Sequence, residues 1–384
     1  MAKHPGVQHL APSRRFPSGG WVVRYRDPDN RTLRRTFETR QQALDFQARV
    51  RTDKNRGEWI DPSLAKTPFR TMAETWYADT VDLRPKTRVG YRNILDHHLL
   101  PAFGAKAIAH VTPSAIRTYL AGLDCSPGTK RNILRVLSPI MALAVDDGMV
   151  KANPVARIKT ADTDAASPEV RVLTAEQVAS LANEVGPHYR TLIWFAAYSG
   201  CRAGEIGALR VKDLDLLHRR VLVRESLSDV NGHLHFVAPK TKAGRRAVAL
   251  PIFLVDLLVE EMAGKAPDDL VFPGPQGGPR RHGNFMRRIF RAAVKRLANS
   301  LGHPEWPEEF AKVRFHDLRH TCASMLIAQG MQPLAVSRHL GHSSISITFD
   351  RYGHLFPNEQ DKLSDALQAV YAQDTGTVTA AKRK

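Results

Sequence analysis

Cysteine is scarce in this sequence: Cys125, Cys201 and Cys322 are the only three, and they lie far apart. That excludes a disulfide framework or a cysteine zinc cluster and fits a reducing cytoplasm. Long apolar runs are also missing. No stretch approaches the roughly 18 residues of a transmembrane helix, and the N-terminus lacks the apolar core of a signal peptide. Acidic charge is in short supply, with 38 Asp and Glu against 56 Lys and Arg and a formal net charge of +18. Such an excess argues against an enzyme confined to small neutral metabolites. It points to a polyanionic partner, nucleic acid before anionic membrane. The rest is ordinary: 43% hydrophobic and 24% charged residues, in a chain of 384 that predicts two or three domains.

The basic excess is spread out. Residues 1–66 carry 14 Lys and Arg against 7 Asp and Glu, residues 67–167 carry 13 against 9, and residues 168–384 carry 29 against 22. A single basic tail is thereby excluded. In the first segment Trp21, Val23 and Tyr25 alternate with Arg24 and Arg26, as in a strand with one apolar and one basic face. Asp27-Pro28-Asp29-Asn30 signals a turn, Leu33 to Phe37 a returning strand, and Thr39 a cap before a helix over 40–51. The expectation is a small α+β unit over residues 1–66 whose Arg24 and Arg26 face either solvent or DNA phosphates.

Residues 67–160 read as all-helical. Thr71 is expected to open a first helix with Met72 and Trp76. Residues 86–100 place Tyr91, Ile94, Leu95, His98 and Leu99 at helical spacing. Thr112-Pro113 is a cap followed by proline at the first helical position. Ser126 to Thr129 leads into a helix with Ile133, Leu134, Leu137, Ile140, Met141 and Ala144 inward. Four such helices suggest a compact bundle. Lys86, Thr87, Arg88, Thr129, Lys130 and Arg131 sit at two of its helix starts, where amides and basic side chains suit phosphates. His97 and His98 read as packing or surface residues. A polar linker is expected over 161–173, a mixed domain over 174–372 opening on the capping box Thr174-Ala175-Glu176-Gln177, and a flexible tail over 373–384.

Four stretches of the last domain set basic and hydroxyl groups in unusual company. Ser199-Gly200-Cys201-Arg202-Ala203-Gly204-Glu205 places an arginine at a helix start with a glutamate one turn on. Taken alone this is a surface ion pair. Pro239-Lys240-Thr241-Lys242-Ala243-Gly244-Arg245-Arg246 reads as a hairpin tip, either solvated or reaching into a DNA groove. His316-Asp317-Leu318-Arg319-His320 puts two histidines four apart on a helix, yet the glutamate of H-E-x-x-H is absent and Arg319 would adjoin a bound zinc, so no metal is expected. Leu340-Gly341-His342-Ser343-Ser344 is followed by Tyr352 at a helix end, with Ser343 or Ser344 as its cap; a tyrosine in that place is commonly packing.

Together, in this order and spacing, the four stretches resemble the tyrosine recombinase family, in particular its phage-type integrases. The family pattern R-x-x-E-x-x-x-L, a hairpin lysine, H-x-x-R-H, L-G-H and a tyrosine ten residues on is matched by Arg202 to Leu209, Lys240, His316 to His320, Leu340 to His342 and Tyr352. Lys240 fits the Lys-Thr pair better, and Lys242 stays open. The helical segment is similar to the family's core-site DNA-binding domain through Thr87-x-x-x-Tyr91 and Ala152-Asn153-Pro154, and residues 1–66 more distantly to its arm-binding domains. Cys201 departs from a common leucine. The fold implied is multidomain: a small α+β unit, an all-α core-binding domain and a mainly α catalytic domain with a small antiparallel sheet.

The chemistry accounts for the residue types. Attack on a phosphodiester builds charge on the non-bridging oxygens, which suits the rigid forks of Arg202 and Arg319, with His342 as a further donor. A tyrosine hydroxyl, which ordinarily titrates near a pKa of about 10, needs a base or a strong field to attack at neutral pH. His316 is the candidate base and Lys240 the candidate acid for the leaving 5′-oxygen. The resemblance implies a 3′-phosphotyrosyl link at Tyr352, no cofactor, double-stranded attachment-site DNA, a homotetramer on that DNA, a host bending protein, a directionality factor, and a cytoplasmic, nucleoid-associated place in a bacterial host. Leu363, Leu367 and Val370 suit a docking helix exchanged between protomers. The rivals are type IB topoisomerase-like relaxation and a catalytically silent DNA-binding protein.

Overall fold

The computed structural model describes residues 6–12, 14, 17–26, 32–55, 64–158, 171–239, 241–299, 308–356, 364 and 366–371. The expected turn at Asp27 to Asn30, Lys240, Leu363 and the tail over 373–384 lie outside them, as does most of the expected linker. The chain divides into two compact units, Met1–Thr163 and Asp164–Lys384.

The first unit begins with an antiparallel sheet of β1 (Val7–Leu10), β2 (Gly20–Arg26) and β3 (Thr32–Phe37), in spatial order β1-β2-β3. Helix α1 (Arg40–Asn55) packs on β2 and β3, running four residues past the expected end. The alternation in β2 is only partly realised. Val23 is buried and Arg24 and Arg26 are exposed as expected, but Val22, in the middle strand of the sheet, is buried too.

The helical part holds α2 (Phe69–Ala78), α3 (Pro85–Ile94), a π turn over Leu95–Leu99 continuing into α4 (Leu100–Phe103), α5 (Pro113–Ala121) and α6 (Pro127–Asp146). Helix α2 starts two residues before Thr71, since Phe69 is already buried and Pro68 supplies an extended entry. The cap at Thr112 is as expected, while α6 already begins at Pro127, within the stretch read as a loop, with Ser126 as its cap. Thr112 Oγ1 accepts from the Ala115 amide at 3.2 Å and Ser126 Oγ from the Thr129 amide at 3.2 Å. Leu95, Leu99, Ile133, Leu137 and Ile140 form the dry centre, each contributing about 1.5–3 kcal/mol by leaving water.

The second unit opens with α7 (Ala175–Glu184), α8 (Pro187–Ser199) and α9 (Ala203–Ala208). The Thr174 capping box forms in full, with Gln177 reaching back to the Thr174 amide at 3.0 Å. Next come β4 (Leu214–Asp215), β5 (Arg220–Val223), β6 (Ser226–Val230), β7 (His233–Val237) and β8 (Arg246–Ala249). They make two antiparallel sheets, β4-β5-β8 and β6-β7. This corrects the expected hairpin at residues 239–246: β7 and β8 are not paired with each other. The β6-β7 hairpin is inserted between β5 and its partner β8, so the stretch crosses from one sheet to the other through a 3₁₀ turn at Lys242–Gly244. Helices α10 (Ile252–Met262), α11 (His282–Phe285), α12 (Arg291–Ala298), α13 (Phe315–Ala328), α14 (Pro333–Leu340) and α15 (Ser346–Tyr352) complete the unit. Helices α8 and α13 pack together at its centre.

Candidate active site

Arg202 is the N-cap residue of α9, and Glu205 closes that turn by accepting the Arg202 amide at 2.8 Å. The other Glu205 oxygen accepts from Arg202 Nη1 at 2.8 Å. This carboxylate is buried and has a second cation, Arg246 on β8, whose Nη2 and Nη1 reach it at 3.0 and 3.2 Å. Burial works to raise the Glu205 carboxyl, but the Arg246 and Arg202 contacts overcome it and hold the group below the usual carboxylate range. Arg246 also donates through Nε to the His339 carbonyl at 2.7 Å, and Arg202 through Nη2 to the Gly341 carbonyl at 2.9 Å. Gly341 ends α14 at φ +69°, and a Cβ there would lie 2.7 Å from Arg246 Nη1. The glycine of Leu-Gly-His is thus required twice, for its backbone and for the arginine lying against it.

Helix α13 carries the next group. Asp317 is fully buried and caps the helix by accepting the Arg314 amide at 2.8 Å, so its task is local. Arg319 is buried and donates to the Gly200 carbonyl at 2.6 Å, at the left-handed end of α8. Burial, then repulsion from Arg202, pushes its guanidinium down to about 10, which still leaves it charged at neutral pH. His316 is exposed, and its ring stands edge-on to His320 at 4.9 Å. His320 is buried, and its Nδ1 lies 2.6 Å from Tyr352 Oη.

Helix α15 ends on Tyr352, which is 1% exposed. Its ring packs with Ala323, Ile327, Val336 and Leu340. Burial pushes the hydroxyl up to about 12 against the pull of Arg319 and Arg351. His342 is buried with its Nδ1 2.8 Å from Thr348 Oγ1; burial, then Arg319 and Arg202, pushes it down to about 3. Ser344 rather than Ser343 takes the first amide of α15, that of Ser346, at 3.2 Å.

Arg202, His316, Arg319, His342 and Tyr352 are therefore carried by four adjoining elements, with the charges of Arg202 and Arg319 felt at His342 and that of Arg319 at Tyr352. Lys240 lies outside the described residues, and of Lys242 the backbone alone is described. Sequence reasoning missed Arg246, His320 as the partner of Tyr352, and Thr348. For Arg246 the one signal was a second arginine just before the alternating Ala247-Val248-Ala249; its partner lies 41 residues away. Two arginines share one carboxylate here and a third, Arg319, is near enough to feel its charge, and the surplus charge suits an anion.

The expected DNA-facing residues of the first unit lie at three places. Lys86, Thr87 and Arg88 occupy the first turn of α3, where Lys86 is exposed and Arg88 stacks on the Tyr77 ring at 4.8 Å. Thr129, Lys130 and Arg131 occupy the first turn of α6; Arg131 is exposed, while the Thr129 hydroxyl lies 3.0 Å from Ser126 Oγ within the cap. On the sheet, Arg24 and Arg34 are exposed and directly opposite each other across β2 and β3. Like charges in register are unfavourable by themselves, and a bound anion relieves them.

Comparison with known proteins agrees with this geometry. The sequence pattern of the phage integrase family matches residues 171–359, which contain the catalytic candidates of the second unit, and that of the N-terminal SAM-like domain of phage integrases matches residues 68–123. Over 353 residues the chain is 28% identical to the phiRv2 prophage integrase of Mycobacterium tuberculosis, covering 89% of this chain and 90% of the relative. It is 26% identical to the ICEBs1 integrase of Bacillus subtilis over 343 residues, 86% and 90% of the two chains. The solved structure of the Tn1549 transposon integrase with circular intermediate DNA aligns at a TM-score of 0.66 and 21% identity, over 79% of this chain and 99% of that one. A lambda integrase tetramer bound to a Holliday junction aligns at 0.54 and 15% identity, over 90% and 98%. These two establish the expected fold: mainly helical, multidomain, with small antiparallel sheets.

Proposed function

The chain belongs to the phage integrase family of tyrosine recombinases, and we propose from that premise that Tyr352 is the nucleophile with which this site-specific recombinase cuts and rejoins DNA. The observation that carries the assignment is the placement of Tyr352 at the end of the helix that follows Leu-Gly-His, with its hydroxyl in the field of Arg319.

The step follows from the groups present. Tyr352 Oη attacks the phosphorus and gives up its proton to a base, for which His316 on the open side is the candidate. The Oη–P bond forms, the P–O5′ bond breaks, and the 5′-oxygen takes a proton from an acid, for which Lys240 is the candidate. Arg202 and Arg319 hold the non-bridging oxygens, and His342 donates a further hydrogen bond; the clamp is anchored before DNA arrives, so little reorganisation is needed. Attack by the 5′-hydroxyl of a second DNA end reverses the chemistry. The bond energy stays in the protein–DNA link, so neither cofactor nor metal enters the scheme.

Several finer points belong to the same reading. Residues 1–66 serve as an arm-type DNA-binding unit, supported by the opposed Arg24 and Arg34, and residues 67–160 as the core-binding domain, supported by the SAM-like match. A homotetramer on attachment-site DNA, a host bending protein, a directionality factor and association with a bacterial nucleoid are further parts of the proposal. Among the described residues no helix is long and apolar enough to cross a membrane.

The test is Tyr352→Phe on a nicked suicide substrate. DNA binding is expected to persist and the covalent adduct, read on a denaturing gel, to vanish. An adduct that survives the substitution assigns the chemistry to another residue.

A further inference from the structure

We propose that His320 is a further catalytic residue of this site: its Nδ1 accepts the hydrogen bond of the Tyr352 hydroxyl and so holds the nucleophile in one conformation. The proposal rests on Tyr352 being the nucleophile. Its basis is the 2.6 Å contact between two buried side chains and the ring contact at 5.7 Å that accompanies it. No other hydrogen bond to that hydroxyl exists among the described residues. A buried hydroxyl without a partner costs about 1–3 kcal/mol, so the contact selects one rotamer of the phenol.

The direction of the bond follows from the surroundings. Burial pushes the His320 imidazole down to about 4, so at neutral pH the ring is neutral and its Nδ1 is free to accept. The phenol, pushed up to about 12, keeps its proton and donates. Packing against Ala323, Ile327, Val336 and Leu340 holds the ring, the oxygen lies on the ring axis, and the bond to His320 keeps that side-chain conformation and sets the direction of the hydroxyl proton. The helical repeat sets His316 one turn before His320, so His316, His320 and Tyr352 form a row of rings from solvent to nucleophile, and the proton that leaves the hydroxyl on attack passes to His320 Nδ1 on its way toward His316. Arg319, one residue before His320, points instead to the Gly200 carbonyl. One turn of α13 therefore serves both phosphate and nucleophile.

Three substitutions separate this role from packing. In His320→Asn the side-chain Oδ1 stands where Nδ1 stood, so an acceptor is kept; in His320→Gln the acceptor is displaced toward Nε2; in His320→Leu it is gone. Single-turnover adduct formation on a suicide substrate at saturating DNA is expected to fall about 100-fold in His320→Leu and His320→Gln, the scale of a misplaced reacting atom. His320→Asn is expected to stay within about 10-fold of wild type. A substrate with sulfur in place of the 5′-bridging oxygen needs no acid; it is expected to rescue Lys240→Ala and not His320→Leu. Wild-type rates in His320→Leu, or equal losses in the Asn and Leu variants, overturn the proposal. The ¹⁵N spectrum of histidine-labelled full-length protein adds a readout free of activity: the His320 Nδ1 signal is expected to move in Tyr352→Phe, and an unmoved signal also overturns it. Adduct formation by Tyr352→Phe, by contrast, strikes the nucleophile assignment itself.

Discussion

Arginine does opposite work in the two units. On the first unit's sheet, Arg24 and Arg34 face each other in water, and Arg35 lies over the Phe46 ring at 5.1 Å. In the second unit, Arg319 and Arg246 are buried and end on carbonyl oxygens or on Glu205. A solvated guanidinium adds affinity for phosphate that salt screens and that any sequence of DNA receives alike. An anchored one has already given up its freedom, so its hydrogen bonds are aimed before the anion arrives. The lesson is that net charge says which polymer binds, and anchoring says where chemistry occurs.

The largest contrast is expected from Arg→Lys changes, which keep charge and remove the fork. Arg319→Lys and Arg202→Lys are each expected to lower single-turnover cleavage by about 100- to 1000-fold. Arg24→Lys is expected to leave both cleavage and binding unchanged. Near-normal cleavage in both site variants would remove the distinction between anchored and solvated arginines.

Next in size is Arg246→Met. It leaves Glu205 with Arg202 as its one side-chain cation and frees the His339 carbonyl. Breaking a buried pair from one side costs about 3–5 kcal/mol. Urea unfolding of the intact protein is expected to show a loss of that order, and cleavage is expected to fall because Glu205, which accepts from Arg202, loses one of the two side chains that hold it. A loss below about 1 kcal/mol, as at an exposed pair, would place Arg246 with the surface arginines.

Removal of residues 1–66 is expected to spare cleavage of a minimal core site. Recombination between full attachment sites should suffer, and binding to long DNA should become weaker with a shallower dependence on salt, by about 0.9 in log–log slope per lost phosphate contact. Equal affinity and equal recombination for both proteins on full-length DNA would reduce the sheet to a solvated decoration.

The smallest effect is in pH. Burial holds His320 and His339 down to about 4 and His342 down to about 3, against an ordinary value of 6.5. Each therefore takes up a proton on unfolding wherever the pH lies between those values. The stability they contribute is fully present above about pH 6.5 and is lost as the pH falls toward 4 and 3. Denaturation midpoints are expected to drop across that window, and His342→Asn is expected to flatten the slope. Arg24→Gln is expected to leave the slope alone.

What the sequence determined by itself was whatever depends on neighbours along the chain. The caps at Thr112 and Thr174 and the inward face of α6 were legible, because capping and helical periodicity act over three or four residues, while the order Arg202, His316, Arg319, His342, Tyr352 was legible only through the family resemblance. The exchange of partners around Glu205 was not: Arg246 reaches it from 41 residues away, and the Gly341 carbonyl takes Arg202 from 139. Nor was the split of residues 239–246 between two sheets, since pairing β8 with β5 across an inserted hairpin is a choice among partners, not a property of the strand. The meeting of His320 and Tyr352, 32 residues apart, was decided in the same way. A histidine carries no mark of which nitrogen will be buried or beside what, and only the packing of α13 against α14 and the turn into α15 brings that phenol to that ring.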